Sequence, residues 1–194
     1  LVADGQTSSE DAAQNKKYGC VANVIFIKIK YDNEFWKMTM EEDILVKGLG
    51  FKLSKGMYLQ KCLLKADNWE IDFNTVKKEL VFKDSKISID KQPFVLSGKF
   101  HFADSSFFQL DAKTKNISFK EATKIITEKI KNKMRFTGLE KGFDVHATFD
   151  GPLSGGGDPF INVDLITFQN VLTTPITSFT QCSFTGNFNN HISD

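Results

Sequence analysis

The chain has 194 residues, 41% of them hydrophobic and 25% charged, with a formal net charge of +1. That length suffices for one domain with a real core, and the near-neutral balance argues against the basic excess of a nucleic-acid binder. No apolar run approaches the ~18 residues that a helical membrane span requires.

The compositional skew is in the aromatics: 19 phenylalanines against 2 tryptophans and 3 tyrosines. Phenylalanine suits half-buried positions on a pleated surface and carries apolar area without a polar handle. Two readings stay open, a Phe-rich core or an apolar trough that holds lipid tails. Cys20, Cys62 and Cys182 have no CxxC spacing. They do not supply the roughly four ligands of a closed zinc site; one disulfide with a spare thiol and three buried thiols are both compatible with them.

In chain order, residues 1–18 are polar and read as a flexible leader. The opening Leu1-Val-Ala-Asp-Gly lacks the charged and apolar regions of a signal peptide, so none is assigned. From Val21 a two-residue period takes over. Ile25, Ile27, Ile29 and Tyr31 alternate with Phe26, Lys28 and Lys30, and Asp32-Asn33 signals a turn. Further short runs follow: Phe35 to Met40, Ile44 to Phe51, Met57 to Leu64, Trp69 to Phe73, Glu79 to Phe82 and Lys86 to Asp90. The cleanest spans Phe94 to Phe102, with Phe94, Leu96, Phe100 and Phe102 on one face and Val95, Ser97, Lys99 and His101 on the other. Phe107 to Lys113 answers it, bringing Phe108 and Leu110 to the same side. One-sided strands joined by short turns predict an antiparallel meander.

One helix interrupts the series. Ser118 and Glu121 form a capping-box pattern. Phe119, Ala122, Ile126 and Ile130 fall on one stripe with Ile125 and Met134 beside it, and basic residues crowd the last turns before Gly138. About 16 residues at ~1.5 Å each would reach ~24 Å, across several strands. The strand Phe143 to Phe149 follows, then Asp150-Gly-Pro-Leu-Ser-Gly-Gly-Gly-Asp-Pro159, then the strand Phe160 to Phe168. Thr173 to Thr177 reads as a loop or edge, and Cys182 to Phe188 is the last strand, which suggests either truncation or an open edge that needs a partner.

Reaction chemistry is not visible. His101, His146 and His191 have no partner at metal-ligand spacing. The glycine turn lacks the spacing of a phosphate loop and leads into a strand. No Gly-x-Ser-x-Gly elbow occurs. The acidic cluster Glu41-Glu42-Asp43 has no catalytic partner, and a glycosidase-like sandwich would need a converging carboxylate pair that cannot be nominated. The expectation is therefore no enzyme, no metal and no cofactor.

The order helix, strand, Gly151-Pro152-Leu153 turn, Pro159, and the alternating Ile161-Asn162-Val163 run resembles the C-terminal region of AsmA-like proteins of Gram-negative bacteria. Phe184, Gly186, Phe188 and Asn189 resemble the Phe-x-Gly-x-Phe-x-Asn element of Bacteroidetes-type members. The resemblance covers Lys86 to the end, and the earlier part only in style. That family is similar to bridge-like lipid-transfer proteins. The resemblance implies a mainly β fold, a curved antiparallel groove- or half-barrel-like sheet with one packed helix. It implies one AsmA-like domain over residues 19–194, a fragment of a longer protein. It also implies a periplasmic, envelope location with an inner-membrane anchor in the full-length protein. The implied partners are phospholipid and envelope proteins or further repeats of the same chain; no nucleic-acid partner is implied. Candidate lipid-facing residues are Phe94, Leu96, Phe100, Phe102, Phe108, Leu110, Phe143, Val145, Phe149, Ile161, Val163 and Leu165, for all of which plain core is the competing assignment. The rival function is an interaction or scaffold domain with a closed core.

Overall fold

The computed structural model describes residues 20–32, 34–52, 57–125, 137–153 and 159–190. The expected leader, the helix positions Ile126, Ile130 and Met134, and His191 lie outside them.

The fold is mainly β. Ten strands form one antiparallel sheet: β1 (Cys20–Asp32), β2 (Phe35–Lys52), β3 (Met57–Asn74), β4 (Glu79–Ile89), β5 (Gln92–His101), β6 (Phe107–Ile117), β7 (Gly138–Leu139), β8 (Phe143–Pro152), β9 (Phe160–Thr173) and β10 (Ser178–Asn189). The sheet order follows the sequence, with β8 next to β6 and the two-residue β7 paired to the end of β9. Strands β1 and β10 stand at opposite edges, so the sheet is open and does not close into a barrel.

Several expected short runs merge. Met57 to Leu64 and Trp69 to Phe73 belong to the single strand β3, and Glu79 to Phe82 and Lys86 to Asp90 to the single strand β4. The reason is the β-bulge, which inserts a residue without ending the strand and increases local twist. Register shifts fall between Met40 and Glu42, between Phe82 and Ser85, between Thr114 and Ile117, and at two places between β9 and β10. Asp84, Asn116, Gln169 and Gln181 sit at bulges with φ of 46°, 52°, 45° and 57°. A non-glycine residue in this region is strained, so neighbours must hold it. The amides of Asp84, Asn116 and Gln169 each donate to a side chain of the next strand: Ser97 Oγ at 3.0 Å, Asp144 Oδ1 at 2.9 Å and Ser183 Oγ at 2.9 Å. Repeated across the sheet, these bulges bend it.

Asn170 performs the most connected of these tasks. It is fully buried, where β9 passes from pairing with β8 to pairing with β7. Its Oδ1 accepts from the amides of Lys141 and Val171, and its Nδ2 donates to Lys141 O and Thr167 Oγ1. All four of its hydrogen-bonding positions are used, which is what a buried amide demands.

The core lies at one end of one face. Ala66, Ile87, Phe94, Ile117 and Phe143, from five successive strands of the sheet, form a buried row. The helix α1 (Phe119–Ile125) turns back over it and packs Phe119, Ala122 and Ile125 against the row. Its cap differs slightly from the expected pattern. Ser118 Oγ accepts from the Glu121 amide at 3.2 Å, but Glu121 Oε2 accepts from the Ser118 hydroxyl at 2.7 Å instead of from its backbone amide.

Two outcomes are expected. Asn170→Ala leaves buried amide and carbonyl groups without partners, at roughly 1–3 kcal/mol each. Urea unfolding should report a loss of about 3 kcal/mol; a loss below about 0.5 kcal/mol contradicts the role given to this side chain. Gly98, directly opposite Phe82, leaves room for the Phe82 ring, and an added Cβ would overlap that ring and lie 2.9 Å from Leu110 Cδ2. Gly98→Ala should therefore cost about 1–3 kcal/mol by overpacking, read by the same titration, although Ala normally outranks Gly in a strand.

Candidate functional site

The site is the apolar face, built from residues that lie directly opposite one another in register. Ile87 faces Phe94, Leu96 faces Ala112, Gly98 faces Leu110, and Phe100 faces Phe108. Beyond β6 the rows continue: Leu110 to Phe149, Phe149 to Ile161, Ala147 to Val163, and Val145 to Leu165. Opposed residues of an antiparallel pair share a face, so the twelve candidate residues occur on a common surface.

That surface is covered unevenly. Phe94, Phe108 and Phe143 are buried, at 7%, 4% and 7% exposure. Leu96, Phe100, Leu110, Val145, Phe149, Ile161, Val163 and Leu165 are half-buried. Phe102 lies one residue beyond β5 and is 49% exposed. Phe94, Phe143 and their half-buried neighbours Leu96, Val145 and Leu165 sit around the α1 end. The far end is aromatic. Phe102 stacks on Phe100 at 6.3 Å, Phe100 on Phe82 and Phe108 at 6.3 Å each, and Phe73 tilts against Phe102 at 6.4 Å. Trp69 meets Phe82 edge-to-face at 5.3 Å. Phe73, Phe82 and Trp69 join the surface from strands whose pairing alternation alone does not fix. Three buried polar atoms, Trp69 Nε1, Ser85 Oγ and, on the opposite face, His101 Nδ1, have no hydrogen-bond partner among the described residues.

The glycine turn closes the far end between β8 and β9. Residues 154–158 lie outside the described residues, but its two shoulders are clear. A Cβ on Gly151 would lie 2.8 Å from Pro159 Cα, so the glycine permits the close approach of the two chains. The Leu153 amide donates to Ser106 O at 3.0 Å, tying the turn to the start of β6.

The outer face is mainly polar, with Phe107, Phe160 and Ile166 set among its charged residues. Lys37 pairs with Glu70 at 2.9 Å beside a shallow hollow also lined by Lys30 and Thr39. Glu79 receives Lys99 at 2.8 Å, and His101 Nδ1 lies 3.5 Å from it. Asp111 accepts from His146 Nε2 at 2.6 Å and from Lys113 at 3.2 Å. Asp164 is held by Asn162 and Asn187. These contacts belong to a solvated face whose pairs are individually weak. Among the described residues no cluster of three His, Cys, Asp or Glu side chains could hold a metal, and no helix is long and apolar enough to cross a membrane. Cys182 is a free thiol; the side chains of Cys20 and Cys62 lie outside the described residues.

Comparison with protein-family models, with curated proteins and with solved structures returns no match to this chain.

Asp111 generates a pH-dependent outcome. Partial burial pushes its carboxyl upward, but the hydrogen bonds and charges of His146 and Lys113 outweigh this and hold it below the ordinary 3.8. A depressed carboxyl contributes stability that is present above its unfolded value and disappears as pH falls through the folded one. Asp111→Asn should therefore unfold more easily than the parent above about pH 4. The difference stays under about 1 kcal/mol because the pair is solvent-screened, and it closes toward pH 2. Parallel acid and urea titrations check this, and a gap that widens with acid would contradict it.

Proposed function

We propose that this chain is a non-enzymatic binding domain whose apolar sheet face holds or conducts phospholipid acyl chains. The observation that carries the reading is the uneven cover. One end of the face is sealed by α1, while the other presents stacked phenylalanines with Phe102 half-exposed and no helix over them among the described residues. Contiguous exposed apolar surface marks a place where something binds. An acyl chain fits the chemistry, since rows of Phe, Leu, Val and Ile offer dispersion contacts along a line and ask for no hydrogen bonds. Each methylene withdrawn from water contributes about 0.8 kcal/mol.

The resemblance to AsmA-like proteins supplies the setting. On this reading the domain works in the periplasm of a Gram-negative envelope, within a longer protein anchored to the inner membrane, and serves outer-membrane lipid homeostasis. A second reading, an interaction or scaffold domain in the same system, is favoured by one observation: β10 has an unpaired edge among the described residues. It predicts a filled surface without lipid.

Native mass spectrometry and organic extraction of the purified chain distinguish the two. Co-purifying phospholipid supports the lipid reading. Phe102→Asp should lower the lipid recovered at least several-fold and shift stability by no more than about 1 kcal/mol, since the position is exposed. Protein free of lipid, even after incubation with phospholipid vesicles, would sink the proposal.

A further inference from the structure

The edge strand β10 has an unusual composition for its position. A sheet edge presents unpaired amides and carbonyls, and proteins usually blunt it with lysine, proline or an inward charge. None of the twelve residues Ser178–Asn189 is charged and none is proline. A bulge at Gln181 interrupts it; the second register shift, between Cys182 and Phe184, puts its extra residue on β9, so β10 itself runs on from Cys182 to Asn189. Phe179 and Phe188 are half-exposed on it, and the neighbouring Ile166 and Phe168 of β9 are more exposed still. The opposite edge is different: β1 carries Lys28, Lys30 and Asp32.

We propose that β10 pairs antiparallel with β10 of a second copy of this chain, joining two sheets edge to edge about a two-fold axis. Charge selects the occupant. Self-pairing of β10 sets only neutral side chains against one another, whereas any strand added along β1 meets an edge whose sequence carries Lys28, Lys30 and Asp32. Pairing β10 with β1 of another copy would be head-to-tail and would not close. The two-fold arrangement closes and leaves only the charged edges outward.

Register narrows the geometry. Cys182, Phe184, Gly186 and Phe188 lie opposite Asn170, Thr167, Leu165 and Val163, on the apolar face. Opposed residues share a face, so the two apolar faces become continuous only if the axis passes through a residue. At the centre of the regular stretch that residue is Thr185 or Gly186. With the axis at Thr185, Phe184 lies opposite Gly186 of the partner subunit. This repeats the arrangement of Phe82 opposite Gly98 within the sheet. Thr185 itself is exposed on the other face, beside the axis in both registers.

The inference is independent of lipid binding and is tested on the lipid-free chain. Sedimentation equilibrium from about 1 to 100 µM, the range in which an interface of modest size associates, should show twice the 21.9 kDa chain mass. Thr185→Lys places two like charges beside the axis and should return the mass to that of one chain, with an unchanged far-UV spectrum. Lys30→Thr, at the other edge, should leave the dimer intact. A single-chain mass at 100 µM, open-ended assemblies, or a Thr185→Lys variant that still dimerises would each overturn the proposal.

Discussion

The strands from β3 to β10 send most of their large apolar side chains to one face, with Phe107, Phe160 and Ile166 on the other, and the rest of the structure answers that constraint. A one-sided sheet has to cover its apolar face with another layer, with itself, or with a ligand. Here the sheet does not close, because β1 and β10 remain at opposite edges. The only helix among the described residues covers the row from Ala66 to Phe143 and leaves the aromatic end. At that end Phe82 and Phe108 are still buried by their neighbours within the sheet, and the exposed apolar surface centres on Phe100 and Phe102. Phe94 and Phe100 belong to the same strand and face, yet Phe94 is buried and Phe100 only half so.

The alternation from Phe94 to Phe102 was legible because a period of two needs no knowledge of neighbours. The cap at Ser118 was legible for the same reason, being local. Strand continuity was not. Asp84 and Asn116 are residue types that favour turns, so the sequence around them reads as a break. In the structure they are bulges, and what keeps the strand going is a side chain from the next strand: Ser97 or Asp144. Asn170 is the extreme case. Within Gln169-Asn170 it looks like a polar interruption of β9. The two hydrogen bonds it exchanges with Lys141 exist only once the segment after β7 lies beside β9. Long-range satisfaction of a buried polar group leaves no periodic trace.

The curvature of the sheet originates in these bulges. Each adds a residue on one strand and twist to its neighbours, and they occur on both halves of the sheet. The polar face tolerates this bending because its contacts are exposed ion pairs and amide bridges that can rearrange at little expense. The apolar face has less freedom: Phe82 fits only over Gly98, and Gly151 only against Pro159. The glycines thus mark where the bent sheet brings large groups or backbone too close for a Cβ.

The aromatic end is stabilised sideways rather than from above. Each ring leans on a ring of the same or the next strand at about 6.3 Å, from Phe82 through Phe100 to Phe108 and Phe102. Lateral contacts already remove part of each ring from water, so a molecule laid across the row gains only the remaining upper surface. They also hold the rings in place beforehand, which reduces the ordering that binding requires. Modest gain per ring combined with small ordering cost favours an occupant that touches many rings in sequence and is held firmly by none. The acyl chain proposed as occupant has that form, and a compact ligand that needs one deep pocket does not.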